Sequence, residues 1–233
     1  MNQASNNEIP EGPKREEIFA TQHRGPDHGE ITWLGRMAFV KHYSSNMQKV
    51  VAKKHFSEAA TEAYRALLLY VWETNCHGAC HSTSAVLFIL LSEMGLKPRL
   101  CIGEVRFNGP CFDHSWVELD GEVLDVAISL PLPSGRHAGG PVFASVDLHS
   151  GNPSNVKFGI AGGRGLDSDA LRVSNSTLNE YAEVQRQTPD VHQDIWELTV
   201  DLAKQLDVHC TVRDLVARYG AVRREYRCGG TSM

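Results

Sequence analysis

The stretch Asp113-His114-Ser115-Trp116-Val117-Glu118-Leu119-Asp120-Gly121-Glu122-Val123-Leu124-Asp125-Val126-Ala127 decides how the chain is read. Asp120-Gly121 is a strong two-residue turn signal between two strand-like runs, and it predicts a β-hairpin with strands over His114–Leu119 and Glu122–Ile128. Such a turn pairs Leu119 with Glu122, and counting outward sets Val117 against Leu124, Trp116 against Asp125 and His114 against Ala127. Opposed residues share a face of the sheet, and alternate residues along a strand return to it. His114, Trp116, Glu118, Val123, Asp125 and Ala127 therefore fall on one side. His114 and Asp125 are diagonal neighbours there, roughly 7–8 Å apart at the backbone, a gap that an imidazole and a carboxylate can span. Parity decides the matter, because a slip of one residue at the turn puts Asp125 on the other face. Read singly, His114 is an ordinary solvated strand histidine and Asp125 an exposed strand-end acid.

Upstream, Ala60, Ala63, Tyr64, Leu67, Leu68, Val71 and Trp72 repeat at helical spacing. They predict an amphipathic helix over Ser57–Trp72 with Ser57 as its N-cap. A loop from Thr74 to Ala79, containing Gly78, leads into a second helix from about Cys80 to Met94. That helix is apolar nearly all round and so should be buried on most sides. Gly95 ends it and Pro98 prevents a restart, after which Arg99–Phe107 reads as a strand. Cys80 thus stands at a helix N-terminus, where about half a positive charge and free N–H groups favour thiolate over thiol. The same N–H groups can hold an oxyanion. The bland alternative is a packed structural cysteine.

The remaining composition narrows the class. With 42 % apolar residues in 233, the chain can bury the core of one domain with decorations. A net charge of −5 argues against nucleic acid or anionic lipid as the main partner. The longest apolar run, Ala85 to Leu91, falls far short of the ~20 residues a membrane span needs. Residues 1–30 are polar and rich in Gly, Pro and His, which predicts a flexible segment with no signal-peptide core. The six cysteines need no disulfide framework at this length, so they are read as reduced and the protein as cytoplasmic. Cys101, in a strand-like run, and Cys210, between two helical stretches, read as small buried thiols. Ile31–Val40 has mixed periodicity and receives no assignment. Leu130–Gly165 is dense in Gly and Pro and reads as a long loop. Helices follow over Leu178–Gln187, Val191–Leu206 and Thr211–Tyr219, the last opening on a Thr211/Asp214 capping spacing. The chain divides into a flexible segment (1–30), a core (31–175) and a C-terminal helical extension (176–233).

Gly78-Ala79-Cys80, the apolar helix, LLSEMGLKPR (90–99), the strand, DHSWVELDG (113–121) and EVLDVA (122–127) together resemble the transglutaminase-like superfamily, a branch of the papain-like cysteine-enzyme fold. The core is also similar to that of lasso-peptide leader proteases. In the superfamily's pattern a Cys begins a central helix, a Gly and an Arg follow it, a His begins an H-x-W-V-E strand and an Asp lies on the next. Those positions are Cys80, Gly95, Arg99, His114 and Asp125, over about residues 60 to 130. The resemblance implies an α+β fold in which a buried central helix carrying the Cys packs on an antiparallel sheet, with C-terminal helices added. It implies a Cys80 nucleophile, a His114 general base and then acid, and Asp125 as orienter. The corresponding activity is that of a cysteine-dependent amide-bond enzyme (peptidase, deamidase or amidase) working through a thioester on a peptide or protein amide, without cofactor or metal. Transfer to an amine instead of water, or a non-catalytic binding module on the same fold, are the alternatives. The Cys80 N–H is one oxyanion donor, and Trp72, Asn75 or His77 supplies the second.

Other constellations compete. Cys76, His77, Cys80 and His81 crowd into six residues, but a zinc site needs further ligands and only Cys111 and Asp113 lie near. Cys76 is alternatively a redox partner of Cys80. His77 and His81 otherwise read as loop polarity, with His81 near the site's mouth. Gly159–Asp169 lacks the Lys and Ser/Thr of a phosphate loop and reads as a flexible loop. Asn175-Ser176-Thr177 matches a glycosylation acceptor that matters only outside the cytoplasm. Arg213, Arg218, Arg223, Arg224 and Arg227 read as a solvated basic face able to dock an acidic partner.

Overall fold

Asp120 and Gly121 both take positive φ, 52° and 81°, the left-handed pair with which a two-residue hairpin turn matches strand twist. The turn sets Leu119 against Glu122, Glu118 against Val123 and Val117 against Leu124, the register expected from the sequence. The computed structural model describes residues 33–109, 111–131, 138–189 and 191–229. The segment 1–30 expected to be flexible lies outside them. In chain order the helices are α1 (Trp33–Lys54), α2 (Glu58–Glu73), α3 (Cys80–Glu93), α4 (Ser168–Asn175), α5 (Leu178–Arg186), α6 (Ile195–Gln205) and α7 (Val212–Tyr219). The strands are β1 (Arg99–Arg106), β2 (Cys111–Leu119), β3 (Glu122–Leu124), β4 (Val142–Phe143), β5 (Val146–Asp147), β6 (Lys157–Ile160) and β7 (Glu225–Arg227). The fold is α+β, with a largely antiparallel sheet and helices packed against it.

The sheet runs β3-β2-β1-β6, and β7 also pairs with β1. β1 and β2 are antiparallel from Arg99↔Glu118 to Arg106↔Cys111. β6 joins antiparallel near Glu104 and Arg106, while β7 lies parallel along Cys101, Ile102 and Gly103. Leu100, Ile102, Val117 and Leu119 join the helical core, whereas Cys101, Val105 and Trp116 join a smaller cluster on the other face. The alternation is the period-2 consequence of the register.

Ser57 caps α2 by accepting from the Ala60 N–H. The predicted face of α2, from Ala60 to Val71, is fully buried. α3 is buried on most sides, from Thr83 to Leu87 and from Ile89 to Leu91. Each such Leu, Ile or Val contributes about 1.5–3 kcal/mol of apolar burial, which makes α3 the rigid axis of the core. α1, whose opening falls in the stretch Ile31–Val40 of mixed periodicity, buries Val40, Tyr43, Met47 and Val50 at helical spacing. Its opening turns mislead because Leu34 is exposed, so the apolar stripe becomes clear only past Val40.

Four other departures from expectation follow. The second hairpin strand ends at Leu124 rather than Ile128: the Asp125 carboxylate accepts from the Ala127 and Ile128 N–H groups, turning the chain into a 3₁₀ segment, Ala127–Ser129. The Gly/Pro-rich region holds three short strands, one of which, β6, extends the main sheet. α4 was not expected; Asp167 caps it by accepting from the Asp169 and Ala170 N–H groups. α6 starts at Ile195, after a capping box of Asp194 and Glu197, and Thr211 caps α7. Among the described residues, no helix is long and apolar enough to cross a membrane.

Gly103 is where β7 meets β1, and a Cβ there would sit 2.3 Å from the Arg227 carbonyl oxygen. Gly103→Ala should therefore push β7 off its seat and cost about 1–3 kcal/mol. Urea unfolding measures this; an unchanged midpoint would mean that β7 yields freely.

Candidate active site

Four pieces of chain converge at the start of α3. Gly78, with φ +64°, turns the loop sharply into the helix, and its N–H donates to the Leu130 carbonyl at 2.9 Å. His77 Nδ1 bonds the Pro131 carbonyl at 2.9 Å, so the residues after the 3₁₀ segment pin the loop. The N-cap, Ala79, has no side chain able to accept a hydrogen bond. The first N–H groups of α3 are thus left without a side-chain cap, beside the half-buried Cys80.

His114 and Asp125 meet as their parity predicted, Nε2 to Oδ2 at 2.6 Å, with side chains 7 % and 2 % exposed. Asp125 reaches His114 although it has left the β2–β3 ladder, because its backbone is held instead by the two bonds it exchanges with Val142. With Nε2 occupied by the carboxylate, Nδ1 is the ring nitrogen left to face Cys80. Phe112 and Phe158 flank the imidazole at 6.0 and 6.4 Å between ring centroids.

Burial alone would push the Cys80 thiol up, but the imidazoles of His81 and His114 overcome it and hold the pKa well below the ordinary thiol value. Burial would likewise lower His114, yet the Asp125 carboxylate and the Cys80 sulfur raise it to about 10. Both shifts favour the same arrangement, with the proton on the imidazole rather than on the sulfur. Cys76, on the same loop, goes the other way: burial raises it to about 11, which keeps it a thiol and a poor partner for redox exchange.

The remaining sequence candidates fall at different distances from this arrangement. His81 lies with Nδ1 3.8 Å from the Cys80 sulfur and 2.7 Å from Ser115 Oγ, closer than its reading as loop polarity implied. Trp72 packs against Phe39 and Tyr43, and its Nε1 is buried without a partner among the described residues. Asn75 is exposed with positive φ. His77 and His81 turn to different partners, and no group of three metal-ligating side chains occurs among the described residues.

Sequence reasoning missed the C-terminal contribution. Tyr181 on α5 bonds Ser82 Oγ at 2.9 Å, and Gln185 donates to the same oxygen. Arg224, read as part of a solvated basic face, is instead buried and donates to the His81 carbonyl at 2.8 Å. No local pattern marks these residues, since their partners lie about a hundred positions or more away.

Residues 29–130 match the family model of the transglutaminase-like superfamily. That span, somewhat under half of the chain, is similar to the superfamily's core, and the α+β fold is consistent with it. Proteins of that superfamily are generally cysteine enzymes; the matched span includes positions 80, 114 and 125 of this chain. No curated protein and no solved structure matches the chain.

Asp125→Ala would strand a buried imidazole and two N–H groups, a loss of about 3–5 kcal/mol near neutrality. Because folding raises the His114 pKa, the pair's contribution is full below the unfolded value of about 6.5 and fades as pH climbs through about 10. Urea unfolding of wild type and variant should thus differ more at pH 6 than at pH 10.5; an equal gap would contradict the ion pair.

Proposed function

We propose that this protein is a cysteine-dependent amide hydrolase of the peptidase, deamidase or amidase kind, with Cys80 as nucleophile, His114 as acid and base, and Asp125 as orienter. The observation that carries the reading is the buried 2.6 Å His114–Asp125 bond beside a cysteine at an uncapped helix start. Without the carboxylate the imidazole would have neither a fixed orientation nor a stabilised cationic form.

In the resting site the Cys80 proton sits on His114. The thiolate attacks the amide carbonyl carbon, a C–S bond forms, and the carbonyl oxygen becomes an oxyanion beside the first N–H groups of α3, including that of Cys80. Of the three side chains considered for the second donor, His77 is engaged by Pro131, whereas Trp72 has a buried N–H to spare. As the intermediate collapses, His114 gives its proton to the departing nitrogen and the C–N bond breaks, leaving a thioester. Neutral His114 then takes a proton from water, the hydroxide attacks the thioester, and C–S cleavage restores the thiolate with release of the acid. Substrate is a peptide or protein amide, with no cofactor called on at any step.

The test joins peptide-amide turnover to alkylation of Cys80. Cys80→Ala should abolish turnover, and His114→Ala should lower kcat/KM by about a thousandfold. The pH profile of kcat/KM should fall on the acid side as Cys80 regains its proton. It should fall again with a midpoint near 10 as His114 loses its own proton. Turnover that survives Cys80→Ala would overturn the mechanism, and faster incorporation of methylamine than of water would make the protein an acyl transferase. A Cys80 that alkylates like an ordinary thiol would point to a binding module.

A further inference from the structure

Arg224 is the one arginine of its stretch that turns inward. Its neighbours Arg223 and Arg227 reach the carboxylates of Glu180 and Glu118, and Arg218 reaches Glu93. Arg224 is only 5 % exposed and has no carboxylate partner among the described residues. One nitrogen donates to the His81 carbonyl, the guanidinium lies over the Tyr181 ring at 4.7 Å, and Nε and Nη1 are buried without partners among the described residues. An arginine stays protonated in such a place, and an uncompensated buried cation is strongly destabilising. Some nearby negative charge must therefore balance it.

The active site supplies one. A thiolate on Cys80, an imidazolium on His114 and a carboxylate on Asp125 leave one net negative charge in a buried cluster. The groups that act on Arg224 electrostatically are Tyr181 and Cys80. The other groups facing Cys80 are His81 on α3, His114 on β2 and Tyr181 on α5; Tyr181 is kept protonated by its burial.

We infer that Arg224 is a positioning residue of the Cys80 site: from outside the matched core it supplies the counter-charge to the thiolate, imidazolium and carboxylate, and braces the first turn of α3 through the His81 carbonyl. The inference deepens the proposed function and rests on it. It also explains why a chain with such a core carries a C-terminal extension packed on the helix start.

Charge and shape separate by substitution. The rate of Cys80 alkylation by iodoacetamide, a neutral probe, is followed from pH 4.5 to 9 by peptide mass spectrometry on the native full chain. Arg224→Met removes the charge with little change of bulk, Arg224→Gln keeps donors for the His81 carbonyl, and Arg224→Lys keeps the charge alone. Both neutral variants should displace the midpoint upward by roughly one unit and slow alkylation at pH 6 about tenfold. Arg224→Lys should stay within about threefold of wild type. Near-UV circular dichroism checks folding, and Arg224→Gln carries the comparison where Arg224→Met fails to fold. A low wild-type midpoint that neither neutral variant moves overturns the role of Arg224 and leaves the proposed function standing, as does a lysine variant displaced as far as the neutral ones. A wild-type midpoint at the ordinary thiol value overturns both.

Discussion

The structure depends on how Asp125 is held. A carboxylate taken out of water is costly unless every lone pair finds a donor, and here the donors are specific. One oxygen accepts the Ala127 and Ile128 N–H groups, and the other takes His114 Nε2. The backbone is fixed as firmly, by paired bonds with Val142 and by the Tyr64 hydroxyl on its carbonyl. Helix α2, the hairpin and the β4 segment therefore meet on one residue. The 3₁₀ turn that ends β3 is the condition for burying this acid, because it brings two N–H groups to the carboxylate that a continued strand would direct elsewhere.

That turn also reaches Cys80. The chain leaving Ser129 presents the Leu130 and Pro131 carbonyls, and these accept from the Gly78 N–H and the His77 ring on the loop that enters α3. A closed circuit results: Asp125 shapes the turn, the turn seats the loop, the loop aims Cys80, and His114 bridges Cys80 back to Asp125. Within such a circuit a displacement at one member is felt by all. The thiolate–imidazolium pair proposed for this site needs that rigidity, since the attraction that would hold the proton on His114 falls off with separation.

How much of this was legible follows from the range of the interactions. The hairpin register, the α2 and α3 faces, the His114–Asp125 pair and the place of Cys80 at a helix start rest on turn chemistry and periodicity, which short windows of sequence carry; joining the three residues into one set took the resemblance. β6 and α4 were hidden in a Gly/Pro-rich region where strands of two to four residues leave no periodicity to count. α1 was hidden because its solvated first turns mask the stripe that begins at Val40. His81 was undervalued because its role depends on Ser115, a partner on another element. Arg224 was misread outright: in a run with Arg223 and Arg227 it looks like surface charge, and only the docking of β7 turns it inward.

The docking of β7 ties the extension to the start of α3. Parallel pairing of three residues with β1 is a weak contact on its own terms, and it closes a loop that returns Arg224 to His81 across 143 positions. Three ladder residues alone hold such a strand loosely. Its seat is made firmer by what packs beside it: Tyr181 and Gln185 on Ser82, the guanidinium on Tyr181, and, on the proposed charge state, a cation set against one surplus negative charge. On this reading the extension and the active site stabilise each other, and the thiolate reaches its working protonation state only once the C-terminal strand is in place.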